Sequence, residues 1–268
     1  MIDAIVRYLY THHPIRAIVL AGSRTGPYST PSSDLDLYVY SDEAVPLSLR
    51  NELASRFATN AEVGNTFFED GDELIAKDGT VIDLMYRRSE WIEEEIERVW
   101  RRYEAKVGYT TAIIHNVRSS TILYDRDGWF KALQSSVSTP YPPALKSAII
   151  AKNYPLLRTK LTASYCEQIQ HAVERKDDVS VLHRKAALLA SYFDVLFALN
   201  ELTHPGEKRL VAWAKEHCLL LPLRFEAEME RVCNTVGSDT LVAVHRLLDS
   251  LDEIFQLSVL DGSPGALA

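Results

Sequence analysis

Short apolar runs and amphipathic stretches alternate along the first half of the chain. The runs RAIVLAG (16–22) and DLDLYVY (34–40) are typical of buried strands, and a stripe of Leu49, Leu53 and Phe57 indicates a helix after them. The same reading predicts helices at 3–12, 47–58 and 89–107, further strands at 66–70 and 120–125, and a hairpin at 72–86 that turns at Asp78-Gly79.

The strand pattern ends near residue 127, and the remainder of the chain has the periodicity of helices. The pattern predicts helices at roughly 143–175, 178–202, 206–218, 222–235 and 239–257. We therefore predict an α+β protein with two domains, a mixed sheet flanked by helices at 1–127 and an all-helical bundle at 128–268.

Composition narrows the function classes only slightly. The net charge is -8, which disfavours a broad nucleic-acid surface because phosphate binding needs clustered Lys and Arg. The three cysteines are widely spaced, the first residues lack a signal-peptide pattern, and the longest near-apolar run (186–199) is too short to span a bilayer and carries Asp194. These features predict a cytoplasmic protein.

Two aspartates interrupt the second predicted strand. Side chains alternate along a strand, so Asp34 and Asp36 project to one face and the apolar residues between and after them project to the other. Two carboxylates this close repel each other, and a divalent cation such as Mg²⁺ removes that penalty. Asp83 lies in a similar apolar strand, so three acids around two cations about 3.5–4 Å apart would suit phosphoryl transfer.

The first strand ends at Gly22-Ser23. A glycine at a strand end allows backbone N–H groups to approach a phosphate, and a serine hydroxyl adds another donor. The turn and the acids together therefore predict a site for a metal-bound phosphate compound.

This ordered set resembles the signature of the nucleotidyltransferase superfamily, which has the DNA polymerase beta fold. The signature reads here as Gly22-Ser23, ten intervening residues, Asp34-x-Asp36 on a strand, and Asp83 on a later strand. The whole chain looks like the bacterial branch that contains the aminoglycoside and lincosamide adenylyltransferases, in which a helical domain follows the catalytic one.

The resemblance implies a function for both domains. The catalytic domain would use Mg²⁺ and ATP and would transfer AMP to a hydroxyl of a small molecule, such as an antibiotic, with release of pyrophosphate. The helical domain would help to hold the nucleotide and the acceptor, and Lys208, in the segment ALNELTHPGEKRLV (198–211), would contact the triphosphate.

Four further residues are weaker candidates for the site. Arg24 follows the phosphate-binding serine and would reach the triphosphate, and Tyr192 is a possible nucleotide contact on a bundle helix. Glu69 and Asp72 would be additional acids at the mouth of the site, facing the acceptor or serving as the base.

Three other functions remain open at this point. Nucleotidyltransferases of toxin–antitoxin pairs adenylylate a partner protein, although such chains usually lack a large helical domain. A nucleic-acid polymerase or tRNA-end enzyme is disfavoured by the net charge of -8. The third alternative is a catalytically silent nucleotide-binding protein, which the presence of all three acids disfavours.

Overall fold

A computed structural model describes residues 1–22, 34–159 and 164–260. Its helices are α1 (Ile2–His12), α2 (Leu47–Phe57), α3 (Ser89–Ile96), α4 (Ala112–Ser119), α5 (Trp129–Val137), α6 (Pro143–Leu157), α7 (Tyr165–Glu174), α8 (Asp178–Leu199), α9 (Leu210–His217), α10 (Phe225–Asn234) and α11 (Asp239–Leu260). Its strands are β1 (Ile15–Ala21), β2 (Leu35–Ser41), β3 (Ala58–Asn65), β4 (Gly71–Ala76), β5 (Val81–Arg88) and β6 (Thr121–Asp125).

The chain forms two compact units. The first consists of Met1–Glu97 and Asn116–Thr139, and the second consists of Arg98–His115 and Pro140–Ala268. The chain therefore passes between the units more than once. The assignment of a catalytic domain to 1–127 and of a nucleotide- and acceptor-binding domain to 128–268 stays a prediction.

The first unit contains one mixed sheet among the described residues, in the order β3-β4-β5-β2-β1-β6. β2 and β5 are parallel, and every other neighbouring pair is antiparallel. The predicted α+β class, with a mixed sheet and a helical region, is confirmed. The strand predicted at 66–70 is wrong, because those residues form the loop between β3 and β4.

Alternation along the strands divides the residues of the sheet between two faces. Leu35, Leu37 and Val39 of β2 belong to the apolar core that also includes residues of α1 and α2. Asp36, between Leu35 and Leu37, therefore projects to the opposite face, as the sequence pattern predicts. On that opposite face Asp36 is half-buried, and Tyr38 and Tyr40 further along the strand are buried.

The second unit is helical, and α8 is its most buried helix. From Ser191 to Leu199 every side chain of α8 is buried, in agreement with the apolar run in the sequence. The single helix predicted at 143–175 is wrong, since α6 ends at Leu157 and α7 begins at Tyr165. Among the described residues, no helix has both the length and the apolar character needed to cross a membrane.

The helix predicted at 89–107 is shorter than expected. α3 continues into a π-helical turn at Glu97–Arg101, and Tyr103 then takes a positive φ of 58°, which a right-handed helix does not accommodate.

Candidate active site

Two of the predicted acids lie side by side in the sheet. β2 and β5 run parallel in a register that pairs Asp36 with Asp83, and the flanking pairs Leu35 with Ile82 and Leu37 with Leu84 are in the core. Residues paired in this way on neighbouring strands are about 4.8 Å apart and project to the same face. The structure therefore brings Asp36 and Asp83 together.

Gly22 lies against Asp36, at the end of the neighbouring strand β1. Ala21 is the strand partner of Asp36, and Gly22 follows with a φ of +68°. A Cβ added to Gly22 would lie 1.7 Å from Oδ2 of Asp36, so a larger residue could not occupy this position without moving the carboxylate. The glycine of the motif thus has a steric reason in this chain as well as a conformational one.

The remaining residues of the motif are less well defined. Asp34 is exposed and lies immediately before β2, and Ser23 and Arg24 are outside the residues that the structure describes. Among the described residues, no group of three His, Cys, Asp or Glu side chains is arranged to hold a metal ion. The structure therefore does not bring Asp34 into a three-acid cluster with Asp36 and Asp83, and the roles of Asp34, Ser23 and Arg24 stay predictions.

The pair of carboxylates nevertheless fits a magnesium site. Mg²⁺ is commonly held by one or two carboxylates, with phosphate oxygens of the substrate and water completing the coordination. Asp36 and Asp83 supply two such carboxylates from adjacent strands, and the lack of a side chain at Gly22 makes room for the Asp36 carboxylate. Asp36 and Asp83 are therefore the two metal ligands of the predicted three that the sheet places side by side.

The row of acids continues across the sheet beyond Asp83. Glu73 of β4 pairs with Asp83, and Glu62 of β3 pairs with Glu73, so that four acids follow one another on neighbouring strands. Both glutamates are exposed. The sequence analysis missed this continuation because it assigned no strand to 58–65, and because a two-residue turn at Asp78-Gly79 would have put Leu74 rather than Glu73 opposite Asp83.

Glu69 forms an ion pair at the other end of β5. Nε and Nη2 of Arg87 donate hydrogen bonds to its two oxygens at 2.7 Å each, and the guanidinium also stacks on the ring of Tyr38 at 3.7 Å. A carboxylate held in this way on both oxygens is less suited to accept a proton from an acceptor hydroxyl. The ion pair with Arg87 therefore disfavours Glu69 as the base.

Asp72 lies on the opposite face of the sheet from Asp83. It is buried, its strand partner is the core residue Leu84, and it accepts hydrogen bonds from Arg50 and from the Tyr86 hydroxyl. Burial, followed by the charge of Asp72, raises the pKa of Tyr86 well above its usual value. The suggestion that Asp72 lies at the site mouth is therefore corrected: this carboxylate stabilises the interior of the first unit.

The two predicted residues of the bundle differ in accessibility. Lys208 is exposed and lies two residues before α9, which begins at Leu210. The prediction that Lys208 lies in the first turn of this helix is therefore wrong. Tyr192 is fully buried among Phe193 and Phe225, and its hydroxyl has no hydrogen-bond partner among the described residues. A ligand would not reach Tyr192 without opening the core, so Tyr192 is left out of the proposed site.

Comparisons with known proteins found distant structural likeness. No family model and no curated protein matches the chain. A nucleotidyltransferase-like protein from Exiguobacterium sibiricum is similar to it with 12% sequence identity and a TM-score of 0.46, over 98% of this chain and 77% of that chain. An aminoglycoside 6-adenyltransferase from Bacillus subtilis is similar with 8% identity and a TM-score of 0.33, over 98% of this chain and 92% of that chain. The CCA-adding enzyme of Thermotoga maritima, in complex with tRNA, is similar with 11% identity and a TM-score of 0.33, over 96% of this chain and 80% of that chain. Likeness this distant assigns no chemistry, so the site has to be argued from the residues of this chain.

Proposed function

We propose that this chain is a metal-dependent nucleotidyltransferase that transfers AMP from ATP to a hydroxyl group of a small molecule and releases pyrophosphate. The observation that carries the proposal is the in-register pairing of Asp36 with Asp83 beside Gly22, where a side chain would displace the Asp36 carboxylate. Two adjacent carboxylates at a glycine turn are suited to a metal-bound triphosphate.

The reaction forms one bond and breaks one bond at phosphorus. The acceptor oxygen attacks the α-phosphorus of ATP, the bond to the β-phosphate breaks, and pyrophosphate leaves with its electron pair. Asp83 takes the proton of the acceptor hydroxyl, because it lies on the same face as Asp36 and next to it. The protein contributes alignment and fixed charge, as in other phosphoryl transfers.

Asp34, Asp36 and Asp83 are the proposed ligands of Mg²⁺, and Gly22 and Ser23 are the proposed contacts of the triphosphate. Mg²⁺ bound there would supply the positive charge that stabilises the triphosphate and the departing pyrophosphate. Arg24 and Lys208 are proposed to add positive charge at the phosphates. We propose a cytoplasmic enzyme with aminoglycoside- or lincosamide-like molecules as the first acceptors to screen.

The test compares two substitutions with matched charge change. Asp36→Asn is expected to lower Mg²⁺-dependent pyrophosphate release from ATP by on the order of a hundredfold or more, the loss typical of removing a charge-stabilising group. Glu62→Gln removes one negative charge from the same row of acids, two strands away from Asp83, and is expected to change the rate by less than about threefold. Circular dichroism of both variants checks that the fold is retained, and full activity of Asp36→Asn would reject the proposed site.

A further inference from the structure

Tyr109 in the second unit has an unusual backbone conformation. Its φ is 55°, in the left-handed region that residues other than glycine, asparagine and aspartate seldom occupy. Such conformations persist only where the surrounding structure holds them, and they are concentrated at functional sites. The question is what holds Tyr109 and what its ring does there.

Buried hydrogen bonds fix the chain on both sides of Tyr109. The N–H of Gly108 donates to Oδ1 of Asn153 at 3.0 Å, and a Cβ on Gly108 would lie 2.9 Å from Ala190. On the other side, the N–H and the hydroxyl of Thr110 donate to the buried carboxylate of Asp194 at 3.0 and 2.6 Å. The conformation of Tyr109 is therefore imposed by the bundle rather than by the tyrosine itself.

The ring of Tyr109 is held beside the turn that carries Lys208. It lies 4.6 Å from the fully buried ring of His204, which accepts a hydrogen bond from the N–H of Gly206 at its Nδ1 atom. Burial, and then the charge of Glu207, raise the pKa of the Tyr109 hydroxyl. Lys208 is the next residue in this turn.

The side chain of Tyr109 is only partly buried. Tyr109 retains 40% of its surface exposed, so its strained backbone gains only part of the packing that a core tyrosine would gain. Lys208 is exposed and makes no ion pair with a residue that the structure describes. An exposed ring that packs on His204 and an exposed cation four residues further along the chain suit a ligand that is aromatic at one end and anionic at the other.

We propose that Tyr109 is the platform on which the base of the bound nucleoside triphosphate stacks, while Lys208 binds its phosphates. This proposal rests on the proposed function, and it extends that function by naming the residue that contacts the base. Stacking on aromatic side chains tolerates different bases because every base has a π-face. The hydroxyl of Tyr109 is not required for it.

The test separates the base from the phosphates. Binding of ATP and of inorganic tripolyphosphate, each with Mg²⁺, is measured by calorimetry on the full chain. Tyr109→Asn is expected to weaken ATP binding by on the order of tenfold and to leave tripolyphosphate binding unchanged, since asparagine accepts a positive φ but offers no ring. Tyr109→Phe is expected to bind both ligands as the wild-type chain does.

Tyr103 provides a matched control. It has a φ of 58° and is 37% exposed, on the same segment as Tyr109. Tyr103→Asn makes the same change of side chain at a similar backbone conformation and should leave both affinities unchanged. The inference would be overturned if Tyr109→Asn bound ATP with wild-type affinity, or if Tyr109→Asn and Tyr103→Asn lost equal ATP affinity. It would also be overturned if Tyr109→Asn lost as much affinity for tripolyphosphate as for ATP.

A second measurement covers the case in which Tyr109→Asn does not fold. Tyr109→Trp keeps a ring at this position, and its added fluorescence relative to the wild-type chain is expected to be quenched by ATP and not by tripolyphosphate. Equal quenching by both ligands would reject base stacking. If the wild-type chain bound neither ligand, both the proposed function and this inference would be rejected. If the chain bound ATP and substitutions of Tyr109 did not change the affinity, only the inference would be rejected.

Discussion

The glycine of the sequence motif, Gly22, is in close contact with the carboxylate of Asp36. Its φ is +68°, and an added Cβ would lie 1.7 Å from Oδ2 and 2.6 Å from Cγ of Asp36. We expect Gly22→Ala to lose about 1–2 kcal/mol of folding stability from the left-handed backbone. We also expect pyrophosphate release to fall by on the order of a hundredfold, because the Asp36 carboxylate has to move. Urea unfolding and a steady-state assay measure the two effects.

Gly79 provides the control for this prediction. Its φ is +85°, and a Cβ added there would meet nothing within 4 Å. Gly79→Ala should therefore lose similar stability and keep its activity. If the two alanine variants had the same activity, contact between Gly22 and Asp36 would have no part in the chemistry.

Residue-level chemistry was predictable where strand alternation decides it. Alternation alone put Asp36 opposite the apolar side of its strand. The register that pairs Asp36 with Asp83 depends on the parallel pairing of β2 and β5, which alternation does not determine. The same rule groups Asp72 with Leu74 on the core face, and applying it would have excluded Asp72 from the site. The ion pair of Glu69 with Arg87 depends on a loop conformation that no periodicity describes.

Among the elements, α2 and β4 are joined by a buried ion pair. Arg50, 2% exposed, donates to the buried carboxylate of Asp72 and to the backbone oxygen of Gly71. Its guanidinium also lies 4.1 Å from the centre of the Tyr86 ring. We expect Arg50→Ala to lower the free energy of unfolding by about 3–5 kcal/mol, because it leaves the Asp72 carboxylate buried without its charged partner.

The control for this prediction is on the same helix. Arg56 pairs with Glu52 at 2.5 Å, and both side chains are about half exposed. Exposed pairs of this kind add little to stability, so the urea midpoint of Arg56→Ala should stay close to that of the wild-type chain. Equal midpoints for Arg50→Ala and Arg56→Ala would contradict a stabilising role for the buried pair.

Two segments of the first unit, β3 and the loop that follows it, were predicted wrongly from the hydrophobic pattern. β3 is an edge strand with mainly exposed or half-buried residues, so it lacks the apolar alternation that identifies a strand. The neighbouring loop contains Phe67 and Phe68, which are 75% and 100% exposed, and their aromatic character indicated a strand that is not there. Strand prediction relies on apolar positions that alternate with polar ones, and β3 has no fully buried position to produce that alternation.

At the scale of the whole molecule, the division into a sheet and a bundle was predictable, while the path of the chain was not. Strand signals end near residue 127, and this change of periodicity indicated two regions. The segment Arg98–His115 nevertheless belongs to the helical unit, where Thr110 and Thr111 bond to Asp194 and His204. Such contacts join residues more than eighty positions apart, which sequence periodicity does not report.

The stability of the whole chain depends on two buried groups with opposite pH responses. Burial lowers the pKa of His204 from 6.5 to about 3, so His204 stays neutral in the folded chain while the unfolded chain binds a proton. Stability from this group falls as the pH falls below 6.5. Burial raises the pKa of Asp194 from 3.8 to about 6, so the folded chain binds the extra proton, and stability from this group rises as the pH falls from 6 towards 3.8.

Single substitutions should therefore separate two opposing dependences of the unfolding free energy on pH. Between pH 6 and pH 4, the unfolding free energy of His204→Gln minus that of the wild-type chain should increase by up to about 1.4 kcal/mol for each unit that the pH falls. The same difference for Asp194→Asn should decrease by a similar amount. Taking differences from the wild-type chain cancels the titration of all other carboxylates. Urea unfolding at closely spaced pH values measures both curves, and two flat curves would show that neither group changes its protonation on unfolding in this range.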